Sequence, residues 1–248
     1  MLKVASSLFK FDARSVARDQ FAFLVLLVVV VFFGGFAIVG FYRDALGLSF
    51  VQQWLPYILI LAIISNPASY GMVFSLLLIE EIETRVRAAL LVTPVSRTIL
   101  ILMRTPLIIL TLALIGFGST MAISTVWDVT VITAHQWALL SISTALLGPM
   151  IVISMSTIAS NRVEAMALGK FYSALVNPPI LLYLLPADAW YRALFLVFPT
   201  TPIVKAFDAF REGADIEAMM WLGWGWVYAL VLTGLVIRHY LKKSSYEI

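Results

Sequence analysis

Glu80–Arg104 reads EEIETRVRAALLVTPVSRTILILMR, the one place in the middle of an otherwise apolar chain where charge is dense. Ile79, Ile82, Val86 and Leu90 recur at spacings of three and four and make an apolar stripe of helical period. Glu80, Glu83 and Arg87 fall on the opposite face. Glu81 with Arg85, and Glu83 with Arg87, are i,i+4 pairs with the acid first, the favourable order on a helix. Pro94 pushes Thr93 out of the helical region, and Thr93 can cap a new helix with Pro94 in its first turn. The stretch predicts a short amphipathic helix along a membrane surface, a turn, and a fresh helix entering lipid.

Composition sets the class around it. Of the 248 residues, 62% are hydrophobic and 12% charged, against roughly 45–50% and about 25% in soluble domains. This is the profile of an all-α integral membrane protein. The net charge of +3 is no nucleic-acid signal, because the bases cluster at the ends of apolar runs. With no cysteine there is no disulfide, thiolate nucleophile or thiolate metal site. His135 and His239 are too far apart in sequence to suggest a shared metal.

Residues 1–20 do not read as a signal peptide, since their charges are spread through the segment. Leu2, Ala5, Phe9, Ala13 and Val16 form one face and Lys3, Lys10, Arg14 and Arg18 the other, the pattern of a basic helix lying in the interface. A bilayer core of about 30 Å needs about 20 apolar residues. Runs at 21–41, 54–79, 98–126, 137–160, 165–185 and 218–240 meet or approach that length and predict six spans within a single transmembrane domain. Asn66-Pro67 falls inside the second run, and Asn177 precedes Pro178-Pro179 in the fifth. Each amide either lines a path or bonds to a neighbouring helix. Trp127 stands where an interfacial aromatic is expected. The fourth run is rich in Ser and Thr, small hydroxyl residues that let helices approach closely. Residues 186–217 are too apolar for a plain loop. They predict two short helices, Ala189 to Phe198 and Pro202 to Arg211, with Pro199 between them.

Charge supplies the orientation. With the N-terminus in the cytoplasm, only Arg43, Arg192, Lys205 and Arg211 of the 17 Lys and Arg residues fall outside, as the positive-inside rule requires. Both termini are then cytoplasmic. No phosphate-binding loop of the Gly-x-x-x-x-Gly-Lys-Ser/Thr type occurs, so the chain is not expected to bind ATP itself. The spans hold almost no ionisable residue, which weakens a proton- or sodium-coupled mechanism. A transporter of this composition takes its energy from a partner. A secondary transporter and a membrane scaffold are the alternatives.

The central stretch resembles the cytoplasmic loop between spans two and three of ABC type-2 exporter permeases, a pattern close to E-x-x-x-T/R-x-x-x-L-L-V-T-P-V-S. The residues carrying it are Glu81-Ile82-Glu83-Thr84-Arg85 and Leu90-Leu91-Val92-Thr93-Pro94-Val95-Ser96-Arg97. The family often has Gly after the Arg, whereas this chain has Arg85-Val86-Arg87. The resemblance implies an N-terminal elbow helix at 1–20, a coupling segment at 80–97 and an outer hairpin at 186–217 that dips back into the membrane as a gate. It implies that Glu81, Glu83, Thr84, Arg85, Arg87, Leu90, Leu91, Thr93, Pro94 and Arg97 engage a separate ATPase. Asn66, Asn177, Phe195, Phe198 and Phe207 are the candidate pathway or gate residues. The partners implied are two ATPase subunits that carry ATP and Mg, and a second permease, identical or homologous, in the cell (inner) membrane. This chain would be a transport subunit rather than an enzyme. Its expected cargo is amphipathic or lipophilic, such as a drug, lipid or natural product.

Overall fold

The computed structural model describes Leu27, Val31 and residues 34–36, 38–84, 97–186 and 188–244. The expected elbow helix, most of the first span and the segment 85–96 lie outside the described residues. Among the described residues every regular element is helical. Among the described residues four helical stretches are long and apolar enough to cross a membrane: Leu55–Glu80, Arg104–Val126, Ala134–Ile158 and Asp215–Lys242.

Helix α1 (Leu55–Glu83) follows a short 3-10 turn, Ser49–Gln53. It runs unbroken through Pro67, although that proline leaves the carbonyl four residues earlier without its amide. It also continues past residue 79, where the second span was expected to give way to a separate surface helix. Helix α2 (Arg97–Val126) ends in a left-handed residue, Asp128, with φ 53°. The amide of Val129 returns 3.0 Å to the carbonyl of Ser124, and that of Asp128 3.3 Å to Thr125. This is the Schellman closure, which satisfies carbonyls the helix end would otherwise strand.

The expected fourth span is two helices, α3 (Ala134–Ala145) and α4 (Gly148–Ile158). Pro149 has no amide to offer the carbonyl of Ala145, so the first helix stops there and the proline opens the second. Gly148 lets this break settle on α2, where an added Cβ would lie 2.2 Å from Leu112 Cδ1. The expected fifth span is likewise interrupted. Helix α5 (Arg162–Val176) has 15 residues, a length of about 22 Å, and a 3-10 turn, Pro178–Tyr183, follows. Pro178 and Pro179 together remove two consecutive donors, which a helix cannot absorb as it absorbs one.

Two short elements occupy the connection to the last helix: a 3-10 helix, Trp190–Val197, and α6 (Thr201–Arg211). Both fall within two residues of the bounds read from the sequence. The guanidinium of Arg192 donates to the carbonyls of Leu182 and Leu185 at 3.0 and 2.8 Å, tying this connection to the Pro178–Tyr183 turn. Helix α7 (Asp215–Ser244) completes the bundle.

Gln52 meets the end of α2 and Gln136 the start of α7 at one end, and Glu83 meets the start of α5 at the other, so the bundle has two ends. At the Trp54 end, Trp127, Trp137 and Phe207 sit in a large core cluster with Leu55, Ile203 and Leu222. Trp127 is fully buried there. It stacks on Phe36 at 5.1 Å and its indole donates to the Phe36 carbonyl at 3.1 Å. It therefore fastens the end of the first apolar run to α2 instead of facing lipid. Toward the Glu83 end, Ile79, Ile151, Met155, Ala165 and Val176 form a second cluster. The hydroxyls of Ser143, Ser154 and Thr157 bond to carbonyls one turn back in their own helices. Polar side chains in an apolar run are thereby satisfied without reaching water. The outer face of α7 presents Met220, Trp224, Val227, Leu230, Val231 and Leu235, an apolar face suited to lipid.

Candidate transport site

Helices α1 and α5 pack side by side and carry a distinct chemistry at each end. At the Glu83 end Arg162 opens α5. Its Nη2 lies 3.4 Å from Glu80 Oε1, its Nε 3.4 Å from Glu83 Oε2, and its amide donates to Glu83 Oε1 at 3.3 Å. Asn161 and Glu164 fix the start of that helix. The Glu164 amide donates to Asn161 Oδ1 at 3.0 Å, an N-cap, and the Ser160 amide donates to Glu164 Oε2 at 2.7 Å, which ties the residue before the cap to the first turn. Thr84 closes α1 by donating its hydroxyl to the Glu80 carbonyl at 2.7 Å.

Of the residues expected to engage an ATPase, Glu83 and Thr84 are therefore placed at this end, with Glu83 held by Arg162. Glu81 belongs to α1 and Arg97 opens α2, but their side chains lie outside the described residues. Arg85, Arg87, Leu90, Leu91, Thr93 and Pro94 lie outside them altogether.

Midway along the pair, the hydroxyl of Ser65 is 2.7 Å from the Leu61 carbonyl and 2.8 Å from Asn177 Oδ1. One hydroxyl proton cannot serve both acceptors. Turning the Asn177 amide so that its NH2 faces Ser65 satisfies both contacts, since the two amide atoms are assigned from their bonds. Asn66 is on the other side of α1. It is 4% exposed and donates to the Leu112 carbonyl at 2.7 Å.

At the Trp54 end a cleft of about 510 Å³ lies between the start of α1 and the Pro178–Tyr183 turn that follows α5, lined by Trp54, Tyr57, Ile58, Leu61, Tyr183 and Leu184, among others. The rings of Tyr57 and Tyr183 meet edge to face at 4.6 Å. The Tyr183 hydroxyl donates to Asp208 Oδ1 at 2.8 Å. The Arg211 guanidinium carbon lies 5.4 Å from the Tyr57 ring centre and 5.7 Å from that of Phe207, within cation–π range. Burial pushes the Asp208 carboxyl above its ordinary value, against the lowering pull of the Tyr183 hydroxyl, Lys205 and Arg211. The cleft itself is lined by aromatic and aliphatic side chains, and Asp208 and Arg211 contact its two tyrosines. Among the described residues no group of three or more His, Asp or Glu side chains gathers as a metal site.

The remaining pathway candidates are apart from this cleft. Phe195 and Phe198 form a tilted pair at 5.9 Å, and Phe207 is fully buried against Trp137 at 5.4 Å. Sequence reasoning passed over Tyr57, Tyr183, Asp208 and Arg211, because each lies near the end of an apolar run where aromatics and charges are ordinary. Arg162 is not among the residues singled out from the sequence either. The Asn161-x-x-Glu164 spacing is the signal that fixes where α5 begins.

No curated protein matches this chain. A family model, Rv2686c-like, described as fluoroquinolones export permease protein Rv2686c-like, matches residues 12–237. The match spans the described helices almost from end to end, and the chain therefore belongs to this family of export permeases.

Proposed function

We propose that this chain is the transmembrane subunit of an ATP-driven exporter that works with a separate ATPase and a second permease. Its cargo is a planar aromatic, amphipathic molecule, the class to which the fluoroquinolones of the family description belong. The observation that carries this reading is the pairing of chemistries on α1 and α5. An aromatic cleft lies at one end, and at the other is a knot of charge from which segment 85–96 departs. In this reading the chain crosses the membrane six times, with both termini in the cytoplasm of the cell (inner) membrane and the cleft toward the outer face.

Arg85, Arg87 and Arg97 would contact the ATPase, and Leu90 and Leu91 would fill its groove. ATP binding closes the ATPase pair and displaces segment 80–97. The displacement shifts the spans from inward- to outward-facing. Residues 186–217 act as the outer gate. The cleft supports the cargo class by ring stacking on Tyr57 and Tyr183 and by the Arg211 guanidinium beside Tyr57, which suits a carboxylate.

Two measurements on one preparation test the proposal. Purification in mild detergent is expected to recover a soluble subunit carrying a phosphate loop. Vesicles made from that complex are expected to move a fluoroquinolone with ATP present and to keep doing so after ionophores collapse the ion gradients. Transport that stops with the gradients while ATP persists, or a chain that purifies without any ATPase, overturns it.

A further inference from the structure

We propose that Arg162 is a positioning residue for energy coupling. It clamps the departing end of α1 to the start of α5, so that a pull on segment 85–96 moves both helices as one body. The inference rests on the reading of the chain as an ATP-driven permease.

Among the described residues, two ion pairs and a hydrogen bond join Arg162 to α1. The guanidinium reaches Glu80 through Nη2 and Glu83 through Nε, each at 3.4 Å, and the Arg162 amide takes the second oxygen of Glu83 at 3.3 Å. The two carboxylates are three residues apart and so share a face of α1. The backbone of Arg162 is itself held by the Asn161–Glu164 cap. Solvent reaches about a third of the three side chains, and ion pairs this exposed add little to stability. What the geometry provides is register. A planar fork engaging two carboxylates fixes the rotation of one helix against the other, which a lysine's point charge cannot do.

The fastening continues up the pair. Gly169 brings α5 so close to α1 that an added Cβ would sit 2.6 Å from Met72 Sδ. Beyond it Ser65 meets Asn177, and then Tyr57 meets Tyr183 at the cleft. Rigid elements in continuous contact can carry a displacement between distant sites. Arg162 is the first of these contacts that a displaced segment 85–96 would load.

The test measures cargo moved per ATP hydrolysed, in vesicles holding the complex of this chain with its ATPase. Arg162→Ala is expected to keep the complex assembled and hydrolysing ATP, while cargo per ATP falls about five- to tenfold. Arg162→Lys falls between the two. The exchange Arg162→Glu with Glu83→Arg restores the ratio, whereas either change alone does not. An unchanged ratio in Arg162→Ala overturns the clamp, and so does an exchange that assembles without restoring it. If Arg162→Ala fails to assemble, the exchange decides: recovery of both assembly and ratio supports the clamp, and loss of both overturns it. Absence of ATP-driven transport by the unmodified complex overturns the parent reading as well, which separates the two failures.

Discussion

Asn66 and Asn177 look alike in the sequence. Each is an amide inside an apolar run, and each is followed by proline. The fold treats them oppositely. Asn66 is sealed between α1, α2 and α3, with its NH2 on the Leu112 carbonyl and its Oδ1 without a partner among the described residues. Asn177 caps the end of α5, half-buried, where two prolines stop the helix and the α1–α5 seam begins to open toward the cleft. The difference lies in the neighbours. One proline costs one backbone bond, and the packing around α1 holds the helix through it. Two in series cost two, and the chain takes a tighter turn instead. The first amide thus belongs to the packing of the bundle, and the second sits on the seam along which we place cargo and motion.

The largest expected effect comes from closing the space beside Asn66. A Cβ on Gly116 would meet Asn66 Nδ2 at 2.7 Å and Ser141 Oγ at 3.5 Å. Gly116→Ala therefore forces the amide off its carbonyl or pushes α1 from α2, at a cost of about 1–3 kcal/mol. Thermal unfolding of the purified protein in detergent measures it. Adding Asn66→Ala should recover part of that loss, because the two residues touch and their effects do not add. Fluoroquinolone transport per folded molecule should stay near the unmodified value. If Gly116→Ala leaves unfolding alone and changes transport, Asn66 lines the path and the contrast between the two amides collapses.

A smaller effect on stability, and a larger one on transport, is expected on the seam. Ser65→Ala and Asn177→Ala should each cost about 0.6 kcal/mol, the usual worth of a polar contact between helices in a membrane. Together they should cost no more than either alone. Their transport rates at fixed ATP hydrolysis should fall, because the α1–α5 pair loses a contact between the Arg162 clamp and the cleft. Additive losses in stability would mean that each residue bonds elsewhere.

What could be read in advance follows from the reach of each signal. Hydropathy and charge run along the chain, so the helices expected at 54–79, 98–126 and 218–240 lie close to those bounds. The same averaging hid the break before Gly148-Pro149, since the run is apolar on both sides of it. Trp127 lies at the end of α2, as its place after an apolar run suggested, but the direction of its ring was not legible. Nothing in the sequence marks whether a ring at that depth turns toward lipid or toward Phe36. The Arg162–Glu83 contact joins residues 79 positions apart, and a spacing pattern reaches only a few turns. The cleft is harder still, because Tyr57, Tyr183 and Arg211 come from three elements and meet only after the chain has folded.

The smallest effect concerns pH at the outer edge of the seam. Asp208 accepts from Tyr183 and faces Lys205, Arg211 and Glu212, with burial as the dominant influence raising its carboxyl above the ordinary 3.8. A raised value means that the folded state prefers the protonated form. Its contribution is therefore fully present below the ordinary value and is lost as pH climbs through the raised one. Asp208→Asn keeps an oxygen to accept from Tyr183 and removes the charge. Thermal unfolding of this variant should depend less on pH than that of the unmodified protein across the acidic range, and the two curves should run parallel once Asp208 is ionised. Transport by the variant at neutral pH should remain, because the Tyr57–Tyr183 ring contact does not depend on the carboxylate. Loss of transport with unfolding unchanged would assign Asp208 a direct part in holding cargo, and would extend the seam from the helix pair to α6.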